Sequence, residues 1–306
     1  MPPVRLAPDV AAFYATQSVF TDPGALAPLY ADLPRDPAQL ARITRDLMIH
    51  RGEGGTFGHT IPQDRLHNDA ETRYLDDILR IVVERNDAPL SHRREPKDRF
   101  VGVCRDFSLL HCSLLRHAGV PARLRSGFAS YFGSDGFHCD HVVTEYWDPV
   151  RGWLLADPQL PEPSLMAEWG IDFDPMDVPR DRFLVAGKVW RAIRAGEADP
   201  RSFGLHPPAE GPMFGEFFVA GNVRLDLAAL NKVETLLWDV WGSEVELGHD
   251  LTDAVRAHYD RAVPVVGDEV PFAAARELFA VDEEFRTPAT VMSYAPFNGP
   301  REVALR

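Results

Sequence analysis

Apolar residues recur at helical spacing in Asp36–His50 (DPAQLARITRDLMIH), where Leu40, Ile43, Leu47 and Met48 line one face behind an Asp-Pro start. The spacing predicts a helix. A polar, Gly-rich stretch follows from Arg51 to Asn68, and Asp69–Arg85 (DAETRYLDDILRIVVER) then repeats the amphipathic pattern with an Asp cap and an acidic first turn, predicting a second helix. Cys104–His117 (CRDFSLLHCSLLRH) is apolar on most of its circumference and runs into Ala118-Gly119-Val120-Pro121, a helix-stop signal. A helix so apolar is expected to be buried.

Alternation then replaces the helical period. Ala122–Tyr131, His141–Trp147 and Gly152–Asp157 read as strands, the last two joined by a turn at Asp148–Arg151. Beyond Pro158 the chain is proline-rich and irregular to about Pro179, with helical stretches expected near Arg182–Arg194 and Leu225–Trp241. The predicted class is α+β: an antiparallel sheet packed on the Cys104 helix, with helical additions at both ends.

The 306 residues show no internal repeat, and the 26 prolines and 22 glycines are scattered rather than gathered in one linker. The expected organisation is an N-terminal helical region over 1–68, a core over 69–160 and an extension over 161–306. Trp169, Trp190, Phe217, Phe218, Trp238 and Trp241 give the extension enough apolar surface to pack on that core.

A 45% hydrophobic, 25% charged composition excludes a disordered chain, and no run of about 18 uncharged apolar residues appears. The start MPPVRLAPDV lacks an apolar leader, so the expectation is a cytoplasmic protein with no membrane partner. A formal net charge of -14 makes nucleic acid an unfavourable partner. The basic cluster at Ser91–Arg99 is interrupted by Glu95 and Asp98 and reads as a solvated loop.

Cys104, Cys112 and Cys139 are an odd set that gives no disulfide framework, and the eight residues between the first two put them about 12 Å apart along a helix. Reduced thiols are expected. A thiol at a helix N-terminus gains thiolate character from the unsatisfied N–H groups and the helix dipole, and Cys104 is placed there. Gly102 would let the chain turn into the helix and leave the Cys104 N–H facing the reaction centre. His141 begins the strand-like run HVVTEYW, and a hairpin through residues 148–151 would set it beside Asp157 at the end of WLLAD. Cysteine, imidazole and carboxylate in that relation make a nucleophile, a base and an orienting group. His138 is the competing imidazole. Cys104, His138, Cys139 and His141 also form a possible zinc set, but without a C-x-x-C or H-x-x-x-H pair.

The segments GVCRDFSLLHCSLLRHAGVPARLRSGF, HVVTEYW and RGWLLADP resemble the three signature blocks of the transglutaminase-like superfamily, relatives of papain-type thiol enzymes. The resemblance spans Asp98–Gln159 and implies Cys104 as nucleophile, His141 as base and Asp157 as orienting carboxylate. Val142-Val143 departs from the aromatic or small residue that often follows the family's histidine. The outer segments FLVAGKVWRAIRAG, DPRSFGL and NKVETLLWDVWG resemble bacterial single-chain proteins with this domain. Membership implies attack on an amide or acyl bond, with hydrolysis of a small amide or peptide as the leading outcome and acyl transfer to an amine as the second. A non-catalytic binding scaffold is the reading from a different class. No cofactor and no metal is expected; no acidic loop has EF-hand spacing.

Overall fold

The computed structural model describes residues 4–160, 163–242 and 250–306. Pro161 and Glu162 of the proline-rich stretch, and Met1–Pro3 of the start, lie outside the described residues. Ahead of the core come α1 (Pro8–Tyr14), α2 (Pro37–Leu47) and α3 (Gln63–Asn68). α2 opens as its sequence predicts, with the Asp36 carboxylate accepting the Gln39 N–H at 2.9 Å and Leu40, Ile43 and Leu47 buried. It stops at Leu47, short of the expected end. Met48–His50 is instead β1, paired in parallel with β2 (Phe100–Gly102), because a distant partner outweighs the local helical spacing.

The second helix, α4, spans Leu75–Arg85, and Asp69 is not its cap. Asp69 starts a single 3-10 turn, and its carboxylate accepts the Arg85 guanidinium at 2.6 and 2.7 Å and the Val101 N–H at 2.9 Å. It fastens the end of α4 to β2.

α5 covers Cys104–His117, as its apolar pattern predicts, and every residue from Cys104 to Arg116 is buried. Gly119, at φ +81, turns the chain so that the Val120 N–H reaches the Leu115 carbonyl. β3 (Ala122–Ala129), β4 (His138–Asp148) and β5 (Gly152–Ala156) form an antiparallel sheet, with the Asp148 carboxylate accepting the N–H groups of Val150 and Arg151 at the turn. After the short α6 (Pro163–Glu168), β6 (Phe183–Val185) extends the sheet beyond β3 and leads into α7 (Ala186–Arg194). The expected helix at Arg182 thus begins with a strand, since Phe183 and Val185 complete a buried cluster with Val143 and Leu155.

β7 (Phe203–Gly204) runs parallel to β4 at His138 and Cys139. α8 is Glu216–Leu230, not Leu225–Trp241. Nearly all of its circumference is buried, so no amphipathic period marks its start, and Asn231 with Lys232 in the left-handed region ends it. β8 (Asp239–Val240) then pairs with β9 (Thr290–Ala295), which pairs with β10 (Gly299–Ala304); α9 (Asp253–Asp260) and α10 (Phe272–Val281) lie between. Helices and antiparallel sheet mix as α+β. Among the described residues no helix is long and apolar enough to cross a membrane.

One side of the sheet carries charge inward. Arg123 and Arg125 of β3 meet Glu145 of β4 at 2.7 and 3.0 Å, Arg125 also clamps Asp226 of α8 at 3.0 and 2.9 Å, and Arg180 reaches Glu145 at 2.7 Å. Asp226 accepts the Ser126 N–H at 2.9 Å as well, so α8 is registered against β3. Buried charges cost several kcal/mol each unless every partner is present. Burial alone would raise the Glu145 carboxyl, but the Arg123, Arg125 and Arg180 guanidiniums hold it well below the ordinary carboxylate range. Its stabilisation is therefore present above pH 4.5 and lost as the pH falls below. Glu145→Gln should lower unfolding stability by about 3–5 kcal/mol at neutral pH. Urea denaturation across pH 3–7 should show the variant's stability falling less steeply with acid than wild type's.

Candidate active site

Cys104 is the first residue of α5 and only 6% exposed. Val103 enters in extended backbone, and the Asp106 carboxylate reaches back to its N–H at 2.9 Å while also meeting Arg105 at 3.0 Å. Gly102 serves this entry by leaving room: a Cβ there would stand 3.0 Å from the Asp106 carboxylate. As the opening N–H of the helix, that of Cys104 has no helical acceptor.

The imidazole arrives through a gap. β5 covers one edge of β4 over Thr144–Asp148 and β7 covers it at His138 and Cys139, so that, among the described residues, 140–143 have no strand partner on that edge. Here Ser108 of α5 donates to the Val142 carbonyl at 2.9 Å, and His141 is within the same opening. His141 is the fourth residue of β4 rather than the first, since pairing with β3 extends the strand back to His138. Thr144 stands opposite Ala156, so His141 and Asp157 are diagonal neighbours on one face, and Nε2 of His141 lies 2.7 Å from the Asp157 carboxylate.

That leaves Nδ1 free of the carboxylate, and the Cys104 sulfur is near enough to act on the ring's charge. Burial lowers the His141 pKa, but the Asp157 carboxylate and the Cys104 sulfur outweigh it and raise the value to about 10. The ring is an imidazolium at neutral pH. Asp157 in turn accepts Tyr131 Oη at 2.8 Å on the oxygen that His141 uses, and the Gln159 N–H at 3.0 Å on the other. Phe132 packs edge-on against the imidazole at 4.9 Å.

The other sulfurs and the competing histidine are placed elsewhere. Burial pushes Cys112 up to about 12, and burial with Asp140 pushes Cys139 up to about 11. His138 bonds the Gly136 carbonyl at 3.0 Å and stacks on Phe203, while Cys139 donates to the Phe132 carbonyl, so the possible zinc set does not converge. Trp147 packs edge-on against Trp153 at 5.5 Å.

A second layer was not legible from motif spacing. Parallel pairing of β1 with β2 sets His50 opposite Gly102, near enough for His141 and Asp157 to act on its charge. Burial, then Arg51 and His141, lower His50 to about 3, and its Nδ1 accepts the Gly52 N–H at 3.2 Å, so the ring is neutral with its proton on Nε2. Glu53 accepts Arg45 at 2.8 Å, the His50 N–H at 3.3 Å and the Gln159 amide at 3.2 Å, tying the loop after β1 to the loop after Asp157. In the sequence, the Gly-rich stretch with His50, His59 and His67 offers a loop that could border the cleft or carry solvated histidines, without the pairing that places His50. A groove of about 400 Å³ lined by Arg73, Tyr74, Asp77 and Arg306 contains none of the three central side chains.

Residues 74–158 match the model of the transglutaminase-like superfamily. This segment is similar to a transglutaminase-like core. The match takes in α4, α5, β3, β4 and β5, and so all three side chains. No curated protein matches the chain. A solved structure described as "a Putative Cysteine Protease" from Cytophaga hutchinsonii is 20% identical over 52% of this chain and 45% of that one, with a TM-score of 0.32. A likeness this slight carries nothing about the reaction.

The stability that His141 contributes through its raised pKa is complete below pH 6.5 and is lost as the pH rises through about 10. Nitrogen-15 NMR of the imidazole should show it protonated through pH 9 in wild type. In Asp157→Asn its titration should move to markedly lower pH, since only the Cys104 sulfur is then left to oppose burial.

Proposed function

We propose that the chain is a thiol enzyme that opens an amide bond through a thioester on Cys104, with hydrolysis as its outcome. The reading rests on one observation: Nε2 of His141 is held 2.7 Å from the Asp157 carboxylate while the sulfur at the N-terminus of α5 lies near enough to act on the same ring. An imidazolium beside a sulfur at a helix N-terminus favours the thiolate.

In this mechanism the thiolate attacks the acyl carbonyl, and the Cys104 N–H holds the developing oxyanion. His50, opposite Gly102 and neutral with a proton on Nε2, is the candidate for the second donor. The tetrahedral intermediate collapses with the C–N bond breaking as His141 gives its proton to the leaving amine. His141, now neutral, takes a proton from water, which attacks the thioester and releases the acid and the thiolate. An amine reaching the thioester before water would form a new amide instead.

Cys104→Ala should abolish turnover with the fold retained, because little buried volume changes. Asp157→Asn should lower kcat by on the order of 10²–10⁴ with KM nearly unchanged. Iodoacetamide labelling read by mass spectrometry tests the nucleophile. Cys104 should react faster than Cys112 or Cys139 at pH 7, His141→Ala should slow it about tenfold, and His138→Ala should leave it unchanged. Equal effects of the two histidine variants would overturn the assignment.

A further inference from the structure

Arg51 follows β1 directly, and its backbone N–H is bonded to the Gly102 carbonyl at 2.9 Å, two residues before Cys104. The half-buried side chain carries its guanidinium over the Trp238 ring at 5.6 Å and the Phe297 ring at 5.8 Å. Both rings come from the C-terminal extension. No carboxylate among the described residues forms an ion pair with Arg51, and its guanidinium donates no hydrogen bond to them. Arg73, Arg123 and Arg125, by contrast, are matched with carboxylates, while Arg94 and Arg224 donate to backbone carbonyls.

The nearby anions are committed elsewhere. Asp106 holds the Val103 N–H and Arg105; Glu71 holds Arg301 and Asn298. Those Glu71 bonds, with the Asn298 amide also donating to the His67 carbonyl, and the stacking of His67 on Phe297 at 4.4 Å, fix the β9–β10 turn that presents Phe297 to Arg51. The Trp238 indole N–H is likewise buried without an acceptor. Burial lowers the Arg51 pKa and the charge of Cys104 opposes it, which puts the cation within electrostatic reach of the sulfur.

We infer that Arg51, steadied by Trp238 and Phe297, binds a carboxylate carried by the substrate next to the bond that Cys104 attacks, so that the enzyme acts on carboxylate-bearing amides. The inference rests on Cys104 being the nucleophile. A planar guanidinium fits a carboxylate with two parallel N–H donors, and aromatic faces hold it without consuming those donors. Against a net charge of -14, a cation without a carboxylate partner among the described residues is also what an anionic substrate needs to approach.

Two alkylating probes that differ in charge test this. The wild-type protein is treated with iodoacetate and with iodoacetamide, and the rate at Cys104 is read for each by mass spectrometry against glutathione as the free-thiol standard. The iodoacetate-to-iodoacetamide ratio at Cys104 should exceed that of glutathione and fall as salt is raised. Arg51→Met should reduce that ratio about tenfold, and Arg51→Lys should retain part of the preference. A wild-type ratio at or below that of glutathione overturns the carboxylate site and needs no variant. Equal slowing of both probes in Arg51→Met also overturns it, leaving Arg51 as support for the thiolate. If neither probe labels Cys104 in wild type, the nucleophile assignment itself fails, and the carboxylate site falls with it.

Discussion

The Asp157 carboxylate is the interaction on which the site depends. An imidazole that is 3% exposed would, by burial alone, be neutral, and a neutral ring gives a neighbouring thiol no charge to pair with. Asp157 reverses this from 2.7 Å away, and Tyr131 and the Gln159 N–H hold it in place. Burial pushes the Tyr131 hydroxyl well up, with the Asp157 charge adding to it, so the phenol stays a donor. Three bonds to one carboxylate leave it little freedom to rotate, which fixes the imidazole plane and presents Nδ1 to Cys104.

The sheet supplies what that pair needs. β5 ends at Ala156, one residue before Asp157, and β7 is two residues long, so the edge of β4 beside His141 is left uncovered. Continued pairing there would close the space through which α5 reaches the ring. On the face that carries His141 and Asp157, the buried Arg123, Glu145, Arg125 and Asp226 network locks α8 to β3. The same extension sends Trp238 and Phe297 to Arg51, while Phe132 packs on the imidazole.

Much of this was legible in the residues alone. The α5 span, its stop at Gly119, the order helix then antiparallel strands and the turn at Asp148 all follow from period, caps and turn chemistry, which act over a few residues. The residues Cys104, His141 and Asp157 were selectable because a helix start, a strand and the end of its hairpin partner are separated by short, readable connections. The failures have the opposite character. Met48–His50 left its helix for a partner some fifty residues away, Asp69 gave up its cap for Arg85 and Val101, and Phe183–Val185 joined a sheet edge that sequence period does not announce.

Local chemistry therefore determined which elements form around the thiol and which three side chains were candidates for one another. Tertiary structure alone decided the gap in β4, the neutral state of His50, the bridge from Glu53 to Gln159 and the placement of Arg51 between two rings of the extension. Each of these depends on groups separated by many residues, whose meeting is set by core packing and by the satisfaction of buried charge. Neither leaves a periodic trace in the chain.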